Sequence, residues 1–229
     1  LDLIDKYSAD GVRVGMLLTA PAGNDLLFDE KQCHQGNGFA KKIWNAYLLV
    51  DGWKIDHTLS CPNEQAISWL DNRINEVVAE LEDSFSKFRL SDALMSVYKL
   101  VWDDFCSWYL EMIKPDYQAP IDPRTLLATK ELFERLIKLV HPFMPFITEE
   151  LWASIKERKE GDFITVSEWP KTVSFDKDLL KDVEFIQELI TGLRNFRASK
   201  NILKKDSIEV SIKTNRETTF YATYDAIIK

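Results

Sequence analysis

Apolar positions recur every three to four residues through most of this chain, the period of a helix that buries one face. The longest stripe joins Ile67, Leu70, Ile74, Val77, Val78, Leu81, Phe85 and Phe88. Arg89-Leu90-Ser91-Asp92 interrupts it, and Ser91 is placed to cap the next helix. That helix buries Leu94, Val97, Tyr98, Val101, Phe105, Trp108 and Met112 and stops before Pro115. Asp122-Pro123 supplies a cap and a first-turn proline for another, which carries Leu126, Phe133, Ile137 and Val140. An earlier helix starts near residue 36, with Phe39, Ile43, Ala46, Tyr47 and Val50 on one face and Lys41, Lys42 and Asn45 on another.

The stretch HPFMPFITEELW (141–152) reads as a corner between two helices. Pro142 removes a backbone donor and disfavours helix at His141, while Pro145 fits the first turn of a new helix. Thr148 is predicted to cap that helix, with Glu149 and Glu150 near the positive end of its dipole. DFITVSEWP then reads as an extended exit, followed by a helix with Leu180, Val183, Ile186, Ile190 and Leu193. Ile208, Val210 and Ile212 alternate with Ser207, Glu209, Ser211 and Lys213, the pattern of a half-buried strand. In the first thirty residues, Leu3, Ile4 and Tyr7 predict a short helix. VRVGMLLTA fits a helix end or a buried strand, and TAPAGNDLLFD fits a connection. The expected fold is mainly α, an antiparallel helical bundle with a short N-terminal connecting segment and a small, truncated C-terminal α/β part.

Composition agrees with an ordered, mostly helical protein: 229 residues, 45% hydrophobic, with 8 Gly and 8 Pro. Cys33, Cys61 and Cys106 form no CxxC pair, so a disulfide framework or zinc knuckle is not expected, and the reducing cytoplasm is the expected setting. No apolar run approaches the roughly 18 residues of a membrane span. LDLIDKYSAD has no signal-peptide features, and both ends look cut, so a piece of a longer chain is expected. The net charge of −8 argues against a nonspecific nucleic-acid binder. The charge is uneven, however: residues 192–216 hold Arg194, Arg197, Lys200, Lys204, Lys205, Lys213 and Arg216 against Asp206 and Glu209.

Motifs of catalysis are scarce. GNG at 36–38 lacks the third glycine and the βαβ context of a dinucleotide loop, and no GxxxxGK[ST] loop occurs. His34, His57 and His141 are far apart in sequence, and His141 is better suited to a helix C-terminus than to chemistry. Asp103-Asp104, flanked by aromatics, suits a structural, partly buried role. Pattern alone therefore ends at a helical binding or scaffold domain, with no catalytic or metal-binding residue.

Several stretches together resemble the valyl-tRNA synthetases, class I aminoacyl-tRNA synthetases. They are ADGVRVGMLLTAPAGNDLLFDE, FAKKIWNAYLLV, VWDDFCSWYLEMIKP, HPFMPFITEELW, SEWP and LRNFRASKNI, spread over nearly all of the first 201 residues. The resemblance implies three regions. Residues 1–35 would be the tail of the catalytic core and its connection, 36–170 the anticodon-binding bundle, and 171–229 a helix plus the appendage, cut before a coiled coil. It implies no cofactor here, because the HIGH, KMSKS and editing segments are absent; ATP and Mg would serve the parent enzyme, a valine–tRNA ligase. The partners it implies are tRNA(Val) and the rest of the synthetase chain, with no membrane. The alternatives are the same domain of an isoleucyl or leucyl enzyme, or a protein-interaction scaffold.

Bases of an anticodon are unstacked, so aromatic faces and polar groups read them. On that ground Phe39, Lys41, Lys42, Trp44 and Asn45 are the expected anticodon-side residues, with Phe39 also suited to the core. Arg194, Arg197 and Lys200 are the expected phosphate contacts. The chain departs from the family where Asn37-Gly38 replaces a usual Arg-Asn pair and Leu48 a common arginine.

Overall fold

The computed structural model describes residues 1–19, 28–203, 206–211, 213 and 217–224. Among these the elements are helices: α1 (Asp2–Leu18), α2 (Glu30–Asp51), α3 (Glu64–Ser86), α4 (Leu90–Lys99), a π-helical segment (Leu100–Tyr109), α5 (Leu110–Ile113), α6 (Pro123–Val140), α7 (Pro145–Ile155), a 3-10 turn (Ile164–Val166), α8 (Lys177–Ser199) and α9 (Thr218–Thr223). None is long and apolar enough to cross a membrane.

The predicted stripes are the core. Leu70, Ile74, Val77, Val78 and Leu81 of α3 meet Leu94, Val97 and Val101, Phe105 of the π segment, and Phe133, Leu136 and Ile137 of α6. Phe105 stacks against Tyr109 at 5.8 Å and Phe133 at 5.4 Å. Asp122 caps α6 as expected, accepting from Thr125 N at 2.8 Å, with Pro123 in the first turn.

Several expectations are corrected. Helix α2 begins at Glu30, capped by Asp29, rather than near residue 36. Of the two readings open for VRVGMLL, the helix end is the one that forms, and α1 lies backbone to backbone on α2. A Cβ on Gly15 would come within 2.7 Å of Cys33 N, Cα and Sγ, and one on Gly36 within 2.5 Å of Gly11 O. Ser91 does not cap α4; its Oγ donates to Leu17 O at 2.6 Å, tying α1 to the bundle. Phe88 leaves the apolar stripe and stands exposed after the end of α3. ITV of DFITVSEWP closes into the 3-10 turn. No strand forms over the described residues 206–211; Ile212 lies outside the described residues, as does most of the Pro/Gly-rich connection, 20–27.

The 141–144 corner is as predicted, but Thr148 is not its cap. Asp10 of α1 performs that task, its carboxylate accepting from Phe146 N at 3.3 Å and Ile147 N at 2.8 Å. Arg13, one turn on, donates to Pro142 O at 3.1 Å and Phe143 O at 3.4 Å. Burial pushes the Asp10 carboxyl up despite these bonds. Thr148 is fully buried and donates to Met144 O at 2.7 Å, so it accepts from His141 Nδ1–H, also at 2.7 Å.

Burial lowers the His141 pKa against the opposing pull of Glu149 and Asp10, which favours the neutral imidazole. A base whose folded pKa is depressed binds fewer protons folded than unfolded, so stability falls as pH drops below the unfolded value near 6.5. Asp10 has the opposite sign, stabilising as it protonates. The expected result is a loss of thermal stability on descending from pH 7 toward 5.5, which His141→Gln reduces. Melting curves of both chains across that range check it.

Candidate nucleic-acid interface

Helix α2 carries the first set of predicted contacts, and the structure divides them. Phe39 is fully buried, its ring 4.7 Å from that of Tyr98, so it packs in the core rather than on the exposed face of α2. Trp44 is half-buried beside Tyr47 at 5.7 Å, and Tyr47 OH donates to Ser154 O. Lys41 and Asn45, one turn apart, are exposed. Leu48 and Leu49 continue that exposed face toward the end of α2. Lys42 is half-buried, its ammonium 5.3 Å from the Trp102 ring centroid. Asn37 lies against Gly11, whereas a Cβ at Gly38 would meet open space.

Helix α8 carries the second set. The Arg194 guanidinium lies 5.2 Å from the Trp108 ring centroid. Arg197 donates to Leu203 O at 3.1 Å and Asp206 O at 2.5 Å, holding the turn after α8, so a phosphate would compete with two carbonyls for it. Lys200 is exposed at the helix end. Lys204, Lys205 and Arg216 lie outside the described residues. The two sets thus meet the same element, Lys42 at Trp102 and Arg194 at Trp108. The π winding of 100–109, a conformation frequent at functional sites, was not visible as a pattern.

A third group escaped the sequence reading because it joins two loops about sixty residues apart in the chain. The α2–α3 and α5–α6 connections meet at one end of the bundle in a parallel bridge, Ile55 with Ile121. Asp56 N donates to Ile121 O at 3.0 Å, and Ile121 N to Lys54 O at 2.8 Å. Between the loops lies an open cavity of about 560 Å³ lined by Lys54, Ile55, Asp56, His57, Thr58, Gln118 and Pro120. Asp56 accepts from Thr58 N at 2.8 Å and Thr58 Oγ1 at 2.7 Å, and these bonds hold its carboxyl below the usual range. Beside it Tyr117 is 93% exposed. One signal for it was available: a tyrosine in KPDYQAP, a turn where nothing in the pattern asks for an aromatic.

An aromatic face, amide, imidazole and ammonium groups on pinned loops suit recognition of an unstacked base. A second cavity, between α3 and α6, is crossed by the Arg124–Glu64 and Arg135–Asp71 ion pairs. Among the described residues, no three His, Cys, Asp or Glu side chains gather to hold a metal. Cys33 and Cys106 are buried, and burial pushes the Cys106 thiol up to about 11.

The chain has relatives among known proteins. The family described as "Anticodon-binding domain of tRNA ligase" matches residues 68–212. The valine–tRNA ligase of Christiangramia forsetii is 48% identical over the whole chain, and that of Parabacteroides distasonis 49% identical over 97% of it. The Bacillus subtilis valine–tRNA ligase is 34% identical over 95%. In each case the chain spans about a quarter of the relative's length, 26%. The LeuRS of the Agrobacterium radiobacter K84 agnB2 LeuRS–tRNA–LeuAMS ternary complex shares the fold, with a TM-score of 0.54 at 15% identity, covering 78% of this chain and 21% of that one. A helical bundle with pinned end loops, matched by that family over most of its length and similar to valine–tRNA ligases throughout, belongs to the anticodon-binding domain family of tRNA ligases.

Proposed function

We propose that this chain binds the anticodon arm of tRNA(Val) as part of a cytoplasmic valine–tRNA ligase. The parent enzyme would join valine to that tRNA with ATP and Mg, its adenylation and editing groups residing in the rest of the synthetase chain. The observation that carries the reading is the bundle end, where two pinned loops present Tyr117 beside the Lys54–Gln118 cavity. The identity of the relatives supports valine over leucine or isoleucine. In this reading Lys41 and the α8 basic end follow the backbone, while Asn45 and the end loops read bases.

The test is titration of the chain with anticodon stem-loops of valine, isoleucine and leucine tRNAs at several salt concentrations. Tyr117→Ala is expected to weaken the valine stem-loop by roughly 1–3 kcal/mol, the contribution of one stacked base. Arg194→Glu with Arg197→Glu should weaken all three alike and flatten the salt slope, because phosphate contacts release counterions. Asn45→Ala should instead narrow the preference for valine. Equal failure of the wild type with every stem-loop would favour a protein scaffold, and an unchanged salt slope in the arginine variant would remove α8 from the interface.

A further inference from the structure

The cavity between α3 and α6 has no part in the reading above, yet it begins at the same end of the bundle. The two helices run parallel, with Glu64 facing Arg124 in their first turns and Asp71 facing Arg135 further along. Both follow directly on the loops that frame the Lys54–Gln118 cavity. Thr125 ties their starts together: its N–H donates to Asp122 at 2.8 Å, and its Oγ1 accepts from Asn63 at 3.3 Å. The groove beyond has a volume of about 570 Å³ and is open to solvent. Its floor is apolar, made by Ile67, Ala128 and Leu132, and Gln65, Ser68 and Glu131 stand exposed along its edges. At its far end Arg135 is held by Asp71 and by Oδ1 of the buried Asn75 at 2.5 Å.

Arg124 is the informative member. It pairs with Glu64 across the mouth of the groove, the two side chains 71% and 59% exposed. An ion pair so open to water gives the fold at most about 1 kcal/mol. Arg124 also stands in the first turn of α6, where the helix dipole disfavours a cation. The bundle therefore gains little from a positive charge at this position. A guanidinium held so loosely can trade its carboxylate for a phosphate, which its planar fork meets with two parallel hydrogen bonds.

We propose that this groove is a second nucleotide subsite for the RNA held at the Tyr117 loops, with Arg124 taking a backbone phosphate in exchange for Glu64. The proposal rests on the anticodon-arm reading above. An unstacked base further along the strand lays its face on Ile67, Ala128 and Leu132, which keep water off the ring. Gln65 offers both a donor and an acceptor to the base edge. Glu131 accepts from an exocyclic amino group or from a ribose 2′-hydroxyl. The carboxylates of Glu64, Asp71 and Glu131 repel free anions from the groove, so a phosphate enters only on a strand that the neighbouring loops already hold.

The experiment titrates the valine anticodon stem-loop against the wild-type chain and three groove variants over a range of salt concentrations. Arg124→Gln is expected to weaken binding about fivefold and to lower the salt slope by about 0.7, the share of one phosphate on a single strand. Glu64→Gln breaks the same ion pair but leaves the guanidinium to the phosphate, so it should tighten binding by about twofold. Ala128→Leu fills the floor without changing charge and suits a helix. It should weaken binding about tenfold, the lower part of what one seated base contributes, and leave the melting temperature unchanged. Equal weakening by Arg124→Gln and Glu64→Gln would make the pair a brace of the fold and overturn the proposal. Undiminished binding by Ala128→Leu also overturns it, since charge alone would then account for the arginine. Tyr117→Ala separates the two readings: if it weakens the stem-loop while the three groove variants bind as the wild type does, the groove falls and the anticodon reading stands. A wild-type chain that binds no stem-loop overturns both.

Discussion

Gly15→Ala lowers the stability of this chain by about 3 kcal/mol, the upper part of the range for overpacking a tight interface. The added methyl would sit 2.6–2.7 Å from the backbone and sulfur of Cys33, which is fully buried and has no room to withdraw. Helices α1 and α2 must therefore separate, which also pulls Asp10 and Arg13 off the α6–α7 corner. For a chain of this size the melting temperature should fall by roughly 6–12 °C. Gly38→Ala is the control: it lies in the partner helix α2 but faces open space, so it should stabilise by about 0.5–1 kcal/mol through helix propensity. Thermal melts of the two variants check the pair, and equal destabilisation would refute the account of close contact.

Arg73→Leu has an effect of similar size through charge. Arg73 Nε donates to Asp104 Oδ2 at 2.9 Å, and its Nη1 lies 2.5 Å from Glu76. Asp104 is largely buried, and burial already pushes its carboxyl up although Arg73 pulls it down. Removing the guanidinium leaves that carboxylate without its counter-ion, at about 3 kcal/mol, the low end for a broken buried pair because both side chains keep some water. Arg73→Leu with Asp104→Leu should recover most of the loss, since two apolar groups need no partner. Urea unfolding of both singles and the double measures the cycle. A double variant no more stable than Arg73→Leu would show that the unpaired carboxylate is not what costs.

The features legible in the sequence share one property: they are local. The α3 stripe up to Phe85, the α6 stripe, the Asp122 cap and the Pro142 break follow from residues within a turn or two of one another, and these stand in the structure. The errors lie where a distant element supplied the partner. Ser91 and Thr148 are good caps by type, but Leu17 O attracted one, and bonds to Met144 O and His141 Nδ1 occupied the other, leaving α7 to Asp10 from 136 residues away. Phe39 illustrates the same limit at the site. An aromatic on a helix with two lysines fits a base platform or a core residue equally by spacing, and only the position of Tyr98 decides. The bundle-end cavity needed Ile55 and Ile121 to meet, a pairing that neither loop announces.

The π winding between Leu100 and Tyr109 bears on how this chain can change length. A π turn closes its hydrogen bonds one residue later than an α turn, so the segment accommodates extra residue within a continuous rod. Loss of a single residue there would let the rod tighten to α and survive, where a deletion in α3 or α6 would turn every later side chain about 100° off its contacts. The same loss would swing Trp108 relative to Trp102, moving Arg194 and Lys42 with respect to each other. Insertions and deletions are usually borne by loops; here the middle of a buried helix is a place where descent can add or drop a residue and thereby reset the spacing of two surface cations.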